Sequence, residues 1–182
     1  MLELNFTPFP VLSTEHLNLR RLEPGDDNEI FLLRSDEGVN KYIDRPKAES
    51  LADAQKFIHK ILKNISNNEV LFWVITTKNS QRLLGTVILW NIVKEEDKAE
   101  LGYELLPNCQ GKGIMQEAVA KVVDYGFNIL KLKTIVAHAH KDNEASIKLL
   151  NKFNFIRDTI AESKHIGQDE FRDMTIYSLQ KN

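Results

Sequence analysis

Apolar and polar positions follow two periods along this chain, and the periods mark out its elements. In 16–23 (HLNLRRLE), Leu17 and Leu19 alternate with polar neighbours before Leu22 breaks phase, which predicts a strand. Pro24-Gly25-Asp26-Asp27 is turn chemistry with an acidic helix start, and a helix is predicted from about Asn28, burying Ile30, Phe31 and Leu33 or their neighbours. Gly38 to Lys47 has no period and contains the breaker Pro46, so it is predicted to be irregular. Ser50 and Asp53 make a capping box with Asp in place of Glu. Behind it Phe57, Ile58, Ile61, Leu62 and Ile65 form one apolar helical stripe, and Asn67-Asn68 ends the helix.

The middle of the chain changes period. VLFWVITTK (70–78), RLLGTVILWNIV (82–93) and AELGYELL (99–106) are β-rich runs separated by short polar connectors, which predicts antiparallel hairpins, with Gly85 as a candidate bulge. After a glycine-bearing loop, Ala118, Val119, Val122, Val123, Phe127 and Leu130 recur at helical spacing as far as Lys131. KTIVAHAH (133–140) is the next strand. A strand, helix and strand in that order require a parallel pair and a right-handed crossover. A helix then starts at Asn143 or a neighbour, with Leu149, Leu150 and Phe153 facing in, and Asn154 is predicted to take the left-handed cap conformation. The remaining residues read as a terminal hairpin with Gly167 in its loop. The fold class is α/β, more closely an α+β mixed sheet: seven strands, largely antiparallel, with one parallel step around the long helix and helices alongside.

The loop Gln110-Gly111-Lys112-Gly113-Ile114-Met115 opens directly into that long helix. The first backbone N–H groups of a helix have no helical partner, and with the helix dipole behind them they form an anion site suited to a pyrophosphate. Glycines there let a phosphate approach the main chain. Two better-known nucleotide loops fail on particular residues. Gln116 stands where a dinucleotide fingerprint needs its third glycine, while Leu106 and Gly113 stand where a P-loop needs Gly and Ser/Thr. A bare G-K-G is also compatible with a plain tight turn.

The loop in its setting resembles the acetyl-coenzyme A signature of the GNAT superfamily of N-acetyltransferases, Q/R-x-x-G-x-G/A after a strand and before a long helix. Gln110, Gly111, Lys112 and Gly113 match, and Met115 departs from the usual Gly or Ala. AELGYELLP, GKGIMQEA, Asn143-x-x-Ser146 and the FNF ending resemble the branch containing the ribosomal-protein N-terminal (Rim-type) acetyltransferases, with similarity running from TEHLNLRRL at Thr14 over most of the chain. The resemblance implies that the parallel strand pair splays apart and that the pantetheine arm of acetyl-CoA enters the gap. It implies a cofactor site made of the backbone of Gly111 to Met115, Gln110 shaping the loop, backbone groups of Tyr103, Leu105 and Leu106 at the splay, and Asn143 on the pantetheine amide. Lys112 either touches the cofactor or is solvated. Many family members carry a tyrosine acid seven residues after the Asn; here that position is Leu150.

Acetyl transfer to an amine also needs a base, an oxyanion donor and a partner for the leaving thiolate. Glu100, Gly102 and Glu104 alternate onto one strand face, so either carboxylate is a candidate base; the family pattern favours Glu100 and proximity to the splay favours Glu104. The Leu105 amide is the candidate oxyanion donor. Ser146, in the first turn of its helix, is the candidate partner of the thiolate, or simply a helix-start residue. Asn143 has the same plainer reading as a cap. Tyr42 and Arg45 line the substrate cleft or cover the core edge. His138 and His140 share a strand face without a third ligand at metal-site spacing. Cys109 has no base partner in sight.

Composition narrows the setting. At 182 residues, 42% hydrophobic and 27% charged, the chain fits one globular domain spanning 1–182. The net charge of −2 gives no bulk reason to expect nucleic-acid or anionic-membrane binding. The single cysteine precludes an internal disulfide and suits a reducing compartment, and MLELNFTPFP lacks the features of a signal peptide, so the expected location is the cytoplasm. The expected activity is acetyl-CoA-dependent N-acetylation of a primary amine, by direct transfer: a protein N-terminal α-amine, such as that of a ribosomal protein. A small amine (polyamine, amino acid or aminoglycoside) is the alternative acceptor. A non-catalytic acyl-CoA-binding module is the alternative role. The state is expected to be monomer or homodimer.

Overall fold

The computed structural model describes residues 2, 4–165, 168 and 172–181. Strands β1 (Leu12–Ser13) and β2 (Leu17–Arg21) lead into helices α1 (Asp27–Ser35), α2 (Glu37–Asn40) and α3 (Leu51–Ser66). Strands β3 (Leu71–Thr77), β4 (Gly85–Val93) and β5 (Lys98–Leu105) follow, then α4 (Ile114–Asn128), β6 (Thr134–His140) and α5 (Glu144–Lys152). The chain ends with β7 (Ile156–Arg157), α6 (Thr159–Ser163) and β8 (Met174–Gln180). The strands form one sheet in the order β1-β2-β3-β4-β5-β6-β8-β7, antiparallel throughout except for β5 and β6.

Successive residues of β3, β4 and β5 point to opposite faces of the sheet and feed two cores, one on each face, so that β3 is buried almost throughout. On one face Trp73, Val87, Leu89, Ala99 and Leu101 pack with Ala118, Val119 and Val122 of α4 and Leu150 of α5. On the other, Phe72 and Val74 pack with Ile30 and Leu33 of α1 and Ala54, Ile58, Ile61 and Ile65 of α3. The Ser50–Asp53 capping box is present as expected. Asn154 is left-handed at φ 60°.

Several elements differ from the pattern reading. Among the described residues the sheet has eight strands rather than seven, because β1, at two residues too short to show alternation, pairs with β2. Part of the irregular stretch is helical: Asp36 caps α2 by accepting from the Val39 N–H at 2.8 Å. The last strands are joined through α6, whose single turn is too short to carry a period, and Gly167 lies outside the described residues. Gly85 is not a bulge. It pairs regularly with Ile75 and Leu105, and a Cβ there would sit 2.4 Å from the Glu104 carbonyl oxygen, so close strand approach is its reason. The irregularity lies between Trp90 and Val93, where Asn91 takes φ 47°.

Candidate active site

The parallel pairing of β5 with β6 runs from Lys98↔Thr134 to Glu100↔Val136 and stops there, although β5 continues to Leu105 and β6 to His140. Beyond Glu100 the two strands diverge into a gap. The Leu106 N–H donates to the Leu84 carbonyl at 2.9 Å. Antiparallel alternation therefore turns the backbone groups of Leu105 and Tyr103 away from β4, towards the gap. Leu106 differs from the other two candidates at the splay: its carbonyl also accepts from the Cys109 N–H at 2.9 Å, so both its backbone groups are engaged within the fold and its side chain is core.

The loop before α4 sits at the mouth of this gap. Gly111 and Gly113 take φ 73° and 79°, the left-handed region where a side chain is strained, and a Cβ on either would meet nothing within 4 Å. Among the described residues no hydrogen bond engages the backbone N–H of Gly111, Lys112, Gly113, Ile114, Met115 or Gln116; the helix ladder begins with Glu117 N–H to Gly113 O at 3.0 Å. This open row of donors at a helix N-terminus fits a pyrophosphate. The loop is braced from below, where the Gln110 amide donates to the Leu105 carbonyl at 3.1 Å. Lys112 donates to the Asn108 carbonyl at 2.8 Å rather than standing free. Glu117 ties the helix start to the N-terminal segment, accepting from the Thr14 hydroxyl at 2.5 Å and the His16 N–H at 2.9 Å.

On this side of the gap the start of α5 meets β5. Asn143 caps the helix, its side-chain oxygen accepting from the Ser146 N–H at 3.1 Å. The Ser146 hydroxyl lies 2.8 Å from the Tyr103 hydroxyl, so the two span the gap. Burial pushes the Tyr103 phenol up to about 12, with the Ser146 hydrogen bond opposing the shift. The sequence alone points to a backbone role for Tyr103 and gives its hydroxyl none. Its alternation with Glu100 and Glu104, which sends its ring to the α4 face, is the signal that was available. Leu150 is fully buried core. Cys109 is also buried, with its thiol 3.4 Å from the Asn108 side-chain oxygen and, among the described residues, no base hydrogen-bonded to it.

The opposite side of the gap is made of side chains. Glu100 is only 7% exposed, and desolvation raises its carboxyl to about 7, opposed by a hydrogen bond with the Asn91 side chain that the β4 irregularity brings there. His138 Nδ1 lies 3.7 Å from Glu100 Oε1, and burial holds the imidazole below its ordinary value. At that separation, with burial favouring the neutral form of each, the two are neighbours rather than a formed ion pair. Glu104 is held by Arg45, Nη2 to Oε2 at 2.6 Å, and Arg45 Nε donates to Asn40 Oδ1 at 2.7 Å. Tyr42 packs on His140 with ring centroids 5.2 Å apart. The 41–47 segment thus closes over the gap from the α2 side. Tyr42 and Arg45 reach the cleft, while Asn40, Asn91 and His138 join it without any sequence motif to announce them. Among the described residues no group of three or more His, Cys, Asp or Glu side chains is placed to hold a metal ion.

Comparison with known proteins agrees with this geometry. The acetyltransferase (GNAT) domain pattern matches residues 16–156. The chain belongs to the GNAT acetyltransferase family. It is 31% identical to the uncharacterized N-acetyltransferase YoaA of Bacillus subtilis over 95% of this chain and 98% of that protein. Two solved structures share the fold: a spermidine N-acetyltransferase from Vibrio cholerae in complex with CoA and spermine, and a ribosomal-protein-S5-alanine acetyltransferase from Vibrio fischeri. The first has a TM-score of 0.76 at 23% identity, covering 92% of this chain and 96% of that one. The second has a TM-score of 0.76 at 21% identity, covering 95% and 97%. This GNAT protein is an N-acetyltransferase, and no helix among its described residues is long and apolar enough to cross a membrane.

Proposed function

We propose that this GNAT protein transfers the acetyl group of acetyl-CoA directly to the α-amine of a polypeptide N-terminus, as on a ribosomal protein, within one cytoplasmic domain spanning 1–182. The observation that carries the reading is Glu100: a buried carboxyl with its pKa raised to about 7, on the face of β5 opposite the cofactor loop. A base near 7 is matched to an α-amine, whose pKa is about 7.7–8.0, far better than to a lysine ε-amine at about 10.4. The charge pattern supports the same acceptor. Arg45 compensates Glu104, so this face does not present the pair of bare carboxylates that would hold a polycation.

In this reading the N–H groups of Gly111 to Met115 hold the pyrophosphate, and Tyr103 and Leu105 pair with pantetheine as a strand pairs with a strand. Asn143 caps α5 and offers its amide to the pantetheine. Glu100 accepts the amine proton as the nitrogen bonds to the acetyl carbon and the carbon–sulfur bond breaks. The Leu105 N–H donates to the acetyl oxygen as negative charge builds on it. Ser146 donates to the departing sulfur. Tyr103, kept protonated by burial, donates to Ser146 Oγ and so turns the serine proton towards the sulfur. Direct transfer is supported by the lone cysteine lying in the core without a base.

The test is a steady-state comparison of free N-terminal peptides, Nα-blocked lysyl peptides and spermidine. The account expects kcat/KM to be highest for free α-amines and negligible for the blocked peptides. A higher kcat/KM for spermidine would replace the proposed acceptor with a polyamine.

A further inference from the structure

In the proposed reaction Glu100 collects a proton in every turnover, yet it is buried, with 7% of its surface exposed. The register shows what faces it. Pairing ends at Glu100↔Val136, so two residues further along each diverging strand His138 stands across the gap from Gly102, and four residues further His140 stands across from Glu104. Gly102 has no side chain, and the imidazole leans past it until Nδ1 is 3.7 Å from Glu100 Oε1. The His138 side chain is 22% exposed against 10% for Glu100. It is therefore the wetter member of the pair.

We propose that His138 is a relay residue that carries the proton from Glu100 to solvent through the two nitrogens of its ring. The inference rests on Glu100 being the base. The amine proton passes to Glu100 Oε1, then to Nδ1 of the neutral imidazole, while the proton on Nε2 leaves to water or buffer. The carboxylate is restored and the ring is left neutral as its Nδ1–H tautomer, which returns to the Nε2–H form by exchanging protons with water before the next turnover; no redox partner is needed. Closing the separation to hydrogen-bond length takes a shift of under about 1 Å. Desolvation raises one partner to about 7 and lowers the other below its ordinary value, so neither is locked in its charged form. Titratable groups near the ring among the described residues include His165, after α6, which further disfavours imidazolium, and His140 on the same strand, packed against Tyr42. The Arg45–Glu104 pair lies beyond, at the far end of the bank.

The experiment uses the whole chain with His138→Ala and His138→Gln, assayed with an N-terminal peptide and increasing free imidazole. Acetyl-CoA affinity is measured alongside by calorimetry. The proposal expects kcat to fall about tenfold in both variants with unchanged acetyl-CoA affinity. It also expects imidazole to restore His138→Ala saturably while leaving the wild type and Glu100→Gln unmoved. Turnover within twofold of wild type, or a loss that no imidazole restores, would overturn it. Loss of acetyl-CoA binding in both variants would assign His138 to supporting the fold instead. The underlying reading fails separately, if Glu100→Gln itself remains active.

Discussion

The loop before α4 and the far face of β5 border the same gap, yet one is built from main chain and the other from side chains. The loop presents N–H groups from Gly111 to Gln116 that have no partner among the described residues, and its only requirements are two left-handed glycines and a helix behind them. The far face assembles Glu100 and Glu104 from β5, Asn91 from β4, His138 and His140 from β6, and Tyr42 and Arg45 from the segment after α2. A main-chain site is insensitive to most side-chain changes and suits a cosubstrate shared across a family. A side-chain site can be retuned one residue at a time, which suits an acceptor that differs between relatives.

The sharpest way to break this contrast is at Arg45. Arg45→Ala leaves the Glu104 carboxylate buried without its cation, and the account expects a stability loss of about 3 kcal/mol by thermal or denaturant unfolding. It also expects a gain in spermidine turnover relative to peptide, with acetyl-CoA affinity unchanged. Equal losses for both acceptors would show that the pair is structural only.

Glu100 gives the next effect, through pH. Its carboxyl titrates near 4.5 when unfolded and at about 7 when folded, so the native state holds the proton more tightly. Its contribution to stability is full below pH 4.5 and lost as pH rises through about 7, by about 3 kcal/mol at most. Glu100→Gln removes that loss. The variant is expected to melt higher than wild type at pH 8 and no higher at pH 4.5.

The cofactor side responds differently. Gly113→Ala meets no atom in the free protein, so only the left-handed backbone is strained, by about 1–2 kcal/mol. The expected result is weaker acetyl-CoA binding by calorimetry with an unaltered preference among acceptors. The smallest effect belongs to the hydroxyl pair. Tyr103→Phe leaves Ser146 its own proton but no donor to orient it, costing about 1 kcal/mol in kcat, with Ser146→Ala adding little more. Strict additivity of the two would separate their roles.

The same contrast explains what the sequence made legible. Gln110 to Met115 is a local pattern, since consecutive residues determine a loop and the helix after it. The alternation of Glu100, Gly102 and Glu104 is equally local, whereas the long helix, read as far as Lys131, stops at Asn128. Arg45 meets Glu104 across 59 positions and Tyr103 meets Ser146 across 43, and no period or spacing encodes such meetings. Asn91 was hidden by a register shift that its neighbours Trp90 and Ile92 do not advertise; the glycine that did suggest a bulge, Gly85, serves strand contact instead. The eighth strand and α6 were missed because two residues of strand and five of helix fall below the length at which a period can be read. Ser146 was legible as a helix-start residue, but its partner across the gap was not.

The most direct test of the account is the pH dependence of kcat/KM for a free N-terminal peptide, measured for wild type and Glu100→Gln. The account predicts a wild-type rate that rises with pH through about 7, the value of the buried carboxyl, and a variant slower by about 10²-fold or more in which that inflection is gone. A variant that keeps both the rate and the inflection would contradict it, and would move the base away from Glu100.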